Sequence, residues 1–172
     1  MQHGKWFDRR FDAMPPERFA TTVERLRGTP ARLEEGVRGV ATDALTRQAD
    51  GTWSAQEHVG HLLDLEPLWL RRAEQLLGRE TELVPADLAN RRTFEARHND
   101  RALADLLRDF RAARAMLVSR LQEASDATLS HTALHPRLRT PMSLTDLAHF
   151  VAEHDDHHLV AIGGLLSSGG QV

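Results

Sequence analysis

The chain has 172 residues, ten histidines, no cysteine and a net charge of −3, which predicts one domain over residues 1–172. The missing cysteine excludes disulfides, thiolate metal sites and cysteine nucleophiles. The weak negative charge argues against a nucleic-acid partner. Because neither a membrane-length apolar segment nor a signal-peptide core occurs, we expect a cytoplasmic protein with no membrane partner.

The first helical pattern begins near Pro15, where apolar residues start to recur at intervals of three and four. The sequence after Gly28 predicts an interruption, because Thr29 can cap a new helix and Pro30 suits the first helical position. Residues 1–28 are therefore expected to pack on, or extend from, the rest of the domain.

A second helical pattern begins after Ser54, which has Glu57 three residues later, as in a capping box. A long helix is expected to follow as far as about Leu77. Pro67 should bend this helix or remove one of its backbone hydrogen bonds.

The second half of the chain predicts two further main helices. One opens after Asp100, and the last follows a capping signal at Ser143 and ends near Gly164 or a turn beyond. A short helix is expected after Pro85, and residues 125–142 are predicted to be a loop. Because no alternating strand pattern occurs, the chain is predicted to be all-α, a four-helix bundle with short extra helices.

Five of the histidines lie in two short windows, and such clusters are typical of metal sites. His154 and His158 share one face of the last helix, but His157 is also within reach of His154, so spacing alone leaves the pair ambiguous. The apolar stripe of this helix favours His154 and His158 as the inward pair. His61, on the inward face of the second predicted helix, would supply a third imidazole.

Three neutral imidazoles leave coordination positions of a metal ion open to water or substrate, as in catalytic metal sites. Neighbouring carboxylates are expected to fix the imidazole tautomers, and the candidates are Glu57, Asp64, Glu153 and Asp155. Other histidines are interpreted as core or surface residues: His58, His98, His131 and His149. A histidine-rich core without a metal is the competing interpretation.

Other kinds of site fit the sequence poorly. In the zinc-protease signature a glutamate follows the first histidine, whereas Asp155 follows His154. A carboxylate di-iron bundle needs Glu-x-x-His on two helices, and only Glu95 and His98 form such a pair. The sequence has no phosphate-binding glycine loop and no serine nucleophile elbow.

Two longer motifs contain these histidines. One covers residues 53–62 (WSAQEHVGHL) and the other covers residues 153–159 (EHDDHHL). Together they resemble motifs of the DinB/YfiT-like superfamily of metal-binding helix bundles, and residues 6–9 (WFDR) and 135–138 (HPRL) resemble one branch of it. The resemblance spans nearly the whole chain.

This resemblance implies a four-helix bundle in up-down-down-up order that is usually a homodimer. It also implies that His61, His154 and His158 bind a divalent nickel, zinc or iron ion, which would resolve the ambiguity with His157. Related enzymes include thiol-dependent S-transferases and a thiol-dependent isomerase, so a low-molecular-weight thiol is an implied candidate partner.

We therefore expect a metal-dependent enzyme of the thiol S-transferase or hydrolase type, or alternatively a non-catalytic metal-binding, stress-response dimer. The candidates for catalytic groups are Glu57, His135 and Arg137. Arg137 with His135 could bind a substrate carboxylate, but a structural turn is an equally good interpretation of this segment. An apolar patch near the N-terminus would suit a dimer interface, with the candidates Trp6, Phe7, Phe11 and Phe19. The alternative is that this segment packs on its own bundle.

Overall fold

A computed structural model describes residue 6, residues 9–48 and residues 51–168. The long helices are α1 (Phe19–Val37), α3 (Ala55–Leu77), α5 (Leu103–Leu121) and α7 (Leu144–Ser168). Short helices lie between them: α2 (Thr42–Leu45), α4 (Arg91–Glu95) and α6 (Asp126–Leu129). Of the helices in these ranges, none combines the length and the hydropathy that a membrane crossing requires.

Two apolar clusters show in which direction each long helix runs. The first cluster joins the start of α1 and α7 to the end of α3 and α5, as in Val23, Phe150, Trp69 and Leu117. The second cluster joins the opposite ends of the same helices, as in Leu33, Ile162, Val59 and Phe110. Thus α1 and α7 run one way and α3 and α5 run the other, which confirms the up-down-down-up four-helix bundle.

The order of the helices determines where the connection between α3 and α5 must lie. Helices α3 and α5 pack against each other. In addition, α3 packs against α7 and α5 packs against α1, and α1 also contacts α7. Because α3 and α5 are parallel neighbours, residues 78–102 must return along the length of the bundle. This return carries α4 and a 3-10 turn at His98–Asp100, and it places both against α3.

Helix α1 is continuous through Pro30, so the predicted interruption after Gly28 is wrong. A proline leaves the carbonyl four residues earlier without its helical donor. Here that carbonyl, on Leu26, accepts a hydrogen bond from Arg114 Nη1 at 3.3 Å. Thr29 does not cap a helix, because its hydroxyl donates to Asp155 Oδ2 at 2.8 Å. A tertiary contact therefore replaces the helical hydrogen bond that Pro30 removes.

The predicted capping signals of α3 and α7 are confirmed. Ser54 and Glu57 form a complete capping box at the start of α3, which ends at Leu77 as expected and continues through Pro67. At the start of α7, the Asp146 backbone N–H donates to Ser143 Oγ, and the Asp146 carboxylate accepts from the Ser143 backbone N–H.

Residues 125–142 are more ordered than the predicted loop. They contain α6 and two short antiparallel strands, β1 (Thr132–Leu134) and β2 (Pro141–Ser143), with Ala133 paired to Met142. Both of these residues are buried in the first apolar cluster. Three-residue strands are too short to show an alternating pattern, so the sequence could not reveal them. Their hairpin loop, residues 135–140, carries His135 and Arg137.

The aromatic residues near the N-terminus pack on their own bundle. Trp6 and Phe11 contact each other and the ring of Phe150, with centroid distances of 4.8–5.5 Å. Phe19 also packs against the first apolar cluster. These half-buried residues agree with the alternative, packing on their own bundle, and Phe7 lies outside the described residues.

Candidate metal centre

The side chains of His61, His154 and His158 meet in the bundle core, and we call them the three-histidine site. One nitrogen from each buried ring lies within 4.8 Å of the others. The Nε2 atoms of His154 and His158 are 3.2 Å apart. Two such atoms bound to one tetrahedral ion at about 2.1 Å would be about 3.4 Å apart. The half-buried His157 does not join this group.

The three imidazoles are neutral near pH 7. Burial lowers the pKa of His61 to about 4. Burial, reinforced by neighbouring imidazoles, lowers the pKa of His154 and of His158 well below the ordinary value. A neutral imidazole keeps a lone pair on one nitrogen, which is the form that binds a metal.

Hydrogen bonds to Thr93 fix the tautomer of His61. The Thr93 hydroxyl lies 2.9 Å from His61 Nδ1, and it is near enough to the carboxylate of Asp64 to help to lower the pKa of that group. Because that carboxylate can only accept, Thr93 donates to Asp64 and accepts from the Nδ1–H of His61. The lone pair of His61 is then on Nε2, and this chain acts as the carboxylate support that metal-binding histidines usually have.

A second histidine, His98, supports the same carboxylate. Its Nε2 lies 2.8 Å from Asp64 Oδ2, and both side chains are buried. The ring of His98 packs against Gly60, where a Cβ atom would come within 2.2 Å of it. Because Gly60 has no side chain, the return connection can pack closely against α3 beside His61.

The third imidazole of the site, His158, is held by His58. The two Nδ1 atoms are 2.8 Å apart. When His158 donates from Nδ1 to His58, the lone pair of His158 lies on Nε2 and is available to the site. The Trp53 ring covers this pair and His61, with centroid distances of 4.6–6.2 Å. The interpretation of His58 as a core or surface residue missed this contact.

The residues of the site fit a divalent metal ion. They offer three neutral nitrogen donors, a set that suits zinc, nickel and iron. In addition, Nδ1 of His154 is buried and has no hydrogen-bond partner among the described residues. A buried polar atom without a hydrogen-bond partner is uncommon in folded proteins. It indicates that the position of this side chain serves a role other than hydrogen bonding within the core.

The other carboxylates predicted to support the histidines do not contact them. Glu57 accepts from the Ser54 backbone N–H and from Gln48 Nε2, which ties it to the helix start. Glu153 pairs with Arg9 and Arg25 at the bundle surface. Of the predicted carboxylates, Asp64 acts through Thr93, and Asp155 belongs to a separate buried ion network.

That buried ion network joins three helices behind the site. Arg114 of α5 pairs with Glu66 of α3 at 2.6 Å and with Asp155 of α7 at 2.5 Å, and each side chain is at most 2% exposed. Burial raises the pKa of Glu66 to about 7, although Arg114 opposes this shift. The network fixes the position of Asp155, and hence the turn of α7 that carries the adjacent His154.

The three-histidine site forms part of the wall of a cavity of about 510 Å³, which we call the site cavity. This volume lies within the range of small-molecule sites. Several of the side chains that line it are apolar, among them Leu65, Leu68, Trp69 and Phe150. Arg72, His135 and Arg137 also line it, and Glu57 does not.

His135 is held by its own loop and by Arg72. Its Nδ1 lies 3.3 Å from the Arg137 backbone nitrogen and 3.1 Å from that of Leu138, and its Nε2 lies 3.0 Å from Arg72 Nη1. All three neighbours are donors, and a neutral imidazole accepts at one nitrogen, so the tautomer decides whether the loop or Arg72 makes the hydrogen bond. Burial lowers the pKa of His135 to about 4, and both arginines add to this effect. These contacts favour the structural interpretation of His135, whereas Arg137 faces the site cavity.

Thr93→Val is expected to weaken metal binding by about 10- to 100-fold, because the hydroxyl that links His61 to Asp64 is lost while the side-chain volume is kept. Competition titration of a metal-stripped sample against a chromogenic chelator measures the change. Thr22→Val is the matched control, since this buried threonine only hydrogen-bonds the Arg18 carbonyl. Equal affinities of the Thr93 and Thr22 variants would contradict the assigned role.

Sequence reasoning missed Thr93, His98 and His58 as neighbours of the site. His58 precedes His61 by three residues, so helical spacing alone could have placed both on one face of α3. No comparable signal marks Thr93 or His98, because they lie in the return connection and meet α3 only after folding.

Comparisons with known proteins agree with the fold. A sequence model of the DinB superfamily matches residues 25–162. A solved structure, YfiT from Bacillus subtilis, superposes with a TM-score of 0.80 at 19% identity and covers 95% of this chain and 94% of its own. YfiT is described as a probable metal-dependent hydrolase with an unusual four-helix bundle topology. No curated protein sequence matches significantly. The chain therefore belongs to the DinB superfamily.

Proposed function

We propose that the protein is a metal-dependent hydrolase of small molecules, with one divalent nickel, zinc or iron ion at the three-histidine site. The observation that carries this proposal is that three neutral, buried imidazoles converge on the wall of a largely apolar cavity. The description of YfiT as a probable metal-dependent hydrolase supports the same reaction class.

The protein's own residues would contribute orientation and exclusion of water. His61, His154 and His158 would hold the ion, which when bound supplies an acidified water molecule as nucleophile. Thr93 and His58 orient two of these imidazoles through Nδ1. The apolar walls of the site cavity exclude bulk water, which strengthens polar interactions with a bound substrate.

Metal analysis tests the proposed centre. Untagged protein, stripped with a chelator and reloaded, is expected to bind one divalent ion per chain, and His158→Ala is expected to lose it. His131→Ala is the control, because that ring bonds the Glu80 carbonyl outside the site. Absence of stoichiometric metal from the wild type, or retention of it by the His158 variant, would contradict the centre.

An activity screen then tests the reaction class. Metal-loaded protein is assayed with ester, amide and phosphoester substrates, and in parallel for conjugation of low-molecular-weight thiols to electrophiles. Hydrolysis that is lost in His158→Ala supports the proposal. Conjugation instead of hydrolysis would identify a thiol S-transferase, and metal binding without either activity would identify a non-catalytic metal-binding protein.

We further propose that the protein is a homodimer. Exposed apolar side chains on the long helices, among them Met116 on α5 and Val160 on α7, offer surface for a second copy. Light scattering is expected to give about twice the chain mass of 19.3 kDa, and a mass equal to one chain at micromolar concentration would contradict the dimer.

A further inference from the structure

The site cavity has two chemically different parts, and only one of them contains the three-histidine site. Arg72 lies on α3, eleven residues beyond His61, which corresponds to about 16 Å along the helix axis. We propose that Arg72 and Arg137 bind the carboxylate of an elongated, largely apolar substrate whose reacting group lies at the three-histidine site. This inference rests on the proposed function, because it names the class of substrate for the same cavity.

Arg72 is a buried cation without a carboxylate partner. Its residue is 1% exposed, and within the described part of the chain no acidic side chain forms an ion pair with it. Burial and the nearby Arg137 lower its pKa to about 10, so the guanidinium is still charged near pH 7. Burying an unpaired charge is costly, and proteins usually place an acidic group beside it. A bound substrate anion would supply the missing countercharge.

The guanidinium of Arg72 is also held in place and keeps donors to spare. Its Nε and Nη2 atoms donate to the Val84 carbonyl at 3.0 and 2.9 Å, and Nη1 lies 3.0 Å from His135 Nε2. Cζ is 5.7 Å from the centre of the Trp69 ring. Because a guanidinium has five N–H donors, at least two of them have no hydrogen-bond partner among the described residues. A fixed guanidinium with free donors is suited to a carboxylate.

Arg137 adds a second positive charge beside the first. It lines the site cavity from the hairpin loop and is close enough to lower the pKa of Arg72. Burial and the neighbouring Arg10 lower its own pKa in turn. The two arginines that line the cavity therefore repel each other, and an anion bound between them would relieve the repulsion.

Among the described residues, Asp87 is the one acidic residue that lines the cavity, and it forms no ion pair with Arg72. Both carboxylate oxygens of Asp87 accept backbone N–H groups, from Ala89 at 3.1 Å and from Arg91 at 2.9 Å. Leu65, Leu68 and Trp69 line the cavity and lie between His61 and Arg72 along α3. The cavity therefore matches a substrate with a charged end and an apolar body.

Binding of a carboxylic acid to metal-free protein tests this proposal apart from any reaction. The metal is removed with a neutral chelator, because a polycarboxylate chelator would compete for the arginines. The probes are 4-phenylbutyrate and its neutral analogue 4-phenylbutanamide, and binding is followed by calorimetry and by tryptophan fluorescence, since Trp6, Trp53 and Trp69 all line the cavity. The acid is expected to bind at least tenfold more tightly than the amide.

Two variants of the hairpin loop separate a direct contact from the general charge of the loop. Arg137→Gln is expected to weaken binding of the acid at least tenfold and to leave binding of the amide unchanged. Arg139→Gln removes the same charge from an exposed position outside the cavity lining and is expected to change neither. Arg72→Lys keeps the charge but removes the planar guanidinium and its paired N–H donors, and it is expected to weaken binding of the acid as well.

Three outcomes would overturn the proposal: equal affinities for the acid and the amide, equal losses in the Arg137 and Arg139 variants, or no binding of the acid at millimolar concentration. If the Arg72 variant fails to fold, the Arg137 and Arg139 pair still decides. Failure of the metal analysis would contradict the proposed function and leave this binding result unaffected, so the two failures are distinguishable.

Discussion

Arg114→Met is expected to lower the free energy of unfolding by about 3–5 kcal/mol, because it leaves two buried carboxylates without their cation. Methionine keeps most of the side-chain length and removes all the donors. Glu66 and Asp155 would then face each other in the core, and the Leu26 carbonyl, already deprived of a donor by Pro30, would lose its replacement.

Urea unfolding of the metal-free protein at pH 7 measures this loss. Arg111→Met is the matched control, since Arg111 lies one turn earlier on α5 and pairs with Glu34 at the surface. An exposed pair of this kind contributes about 0–1 kcal/mol. Equal losses for the two variants would contradict a special role of the buried network.

The free energy of unfolding of metal-free protein is expected to fall by several kcal/mol as the pH is lowered from about 6.5 towards 4. The histidines whose pKa is lowered in the folded state are His58, His61, His135, His154 and His158. In the unfolded chain each would titrate near 6.5 and take up a proton that the folded state does not bind. Each such group contributes a slope of at most about 1.4 kcal/mol per pH unit.

Glu66 changes stability in the opposite direction over part of the same range. Its pKa is raised to about 7 in the folded state, from an ordinary value of 4.5, so the folded state binds this proton first. Lowering the pH from 7 to 4.5 therefore stabilises the fold through this one group. It offsets about one of the histidine contributions, and the net effect remains destabilising.

Urea unfolding of stripped protein at pH 7, 6 and 5 measures this dependence. We expect the urea concentration at the unfolding midpoint to fall with each step in pH. The dependence of the unfolding free energy on urea concentration should stay constant. A bound metal should raise stability at pH 7 and lose this advantage as protons compete for the imidazoles. An unfolding free energy that is unchanged between pH 7 and 5 would contradict the neutral, buried state of these histidines.

Local sequence patterns predicted the long helices and the two capping signals because those features depend on residues a few positions apart. The capping box of Ser54 and Glu57 is one example. The shared face of His154 and His158 is another, since it follows from helical spacing alone. A local capping pattern misled at Gly28, Thr29 and Pro30, where contacts with Arg114 and Asp155 keep α1 continuous.

By itself, the sequence determined that the chain has no thiol chemistry of its own, that it forms a helical bundle, and that His61, His154 and His158 are the ligand candidates. Only the tertiary structure decided what supports and surrounds them. Thr93 reaches His61 across 32 residues of sequence, and Arg72 reaches His135 across 63. The physical reason is that these contacts form only when the return connection and the hairpin loop pack against α3, which no local periodicity encodes.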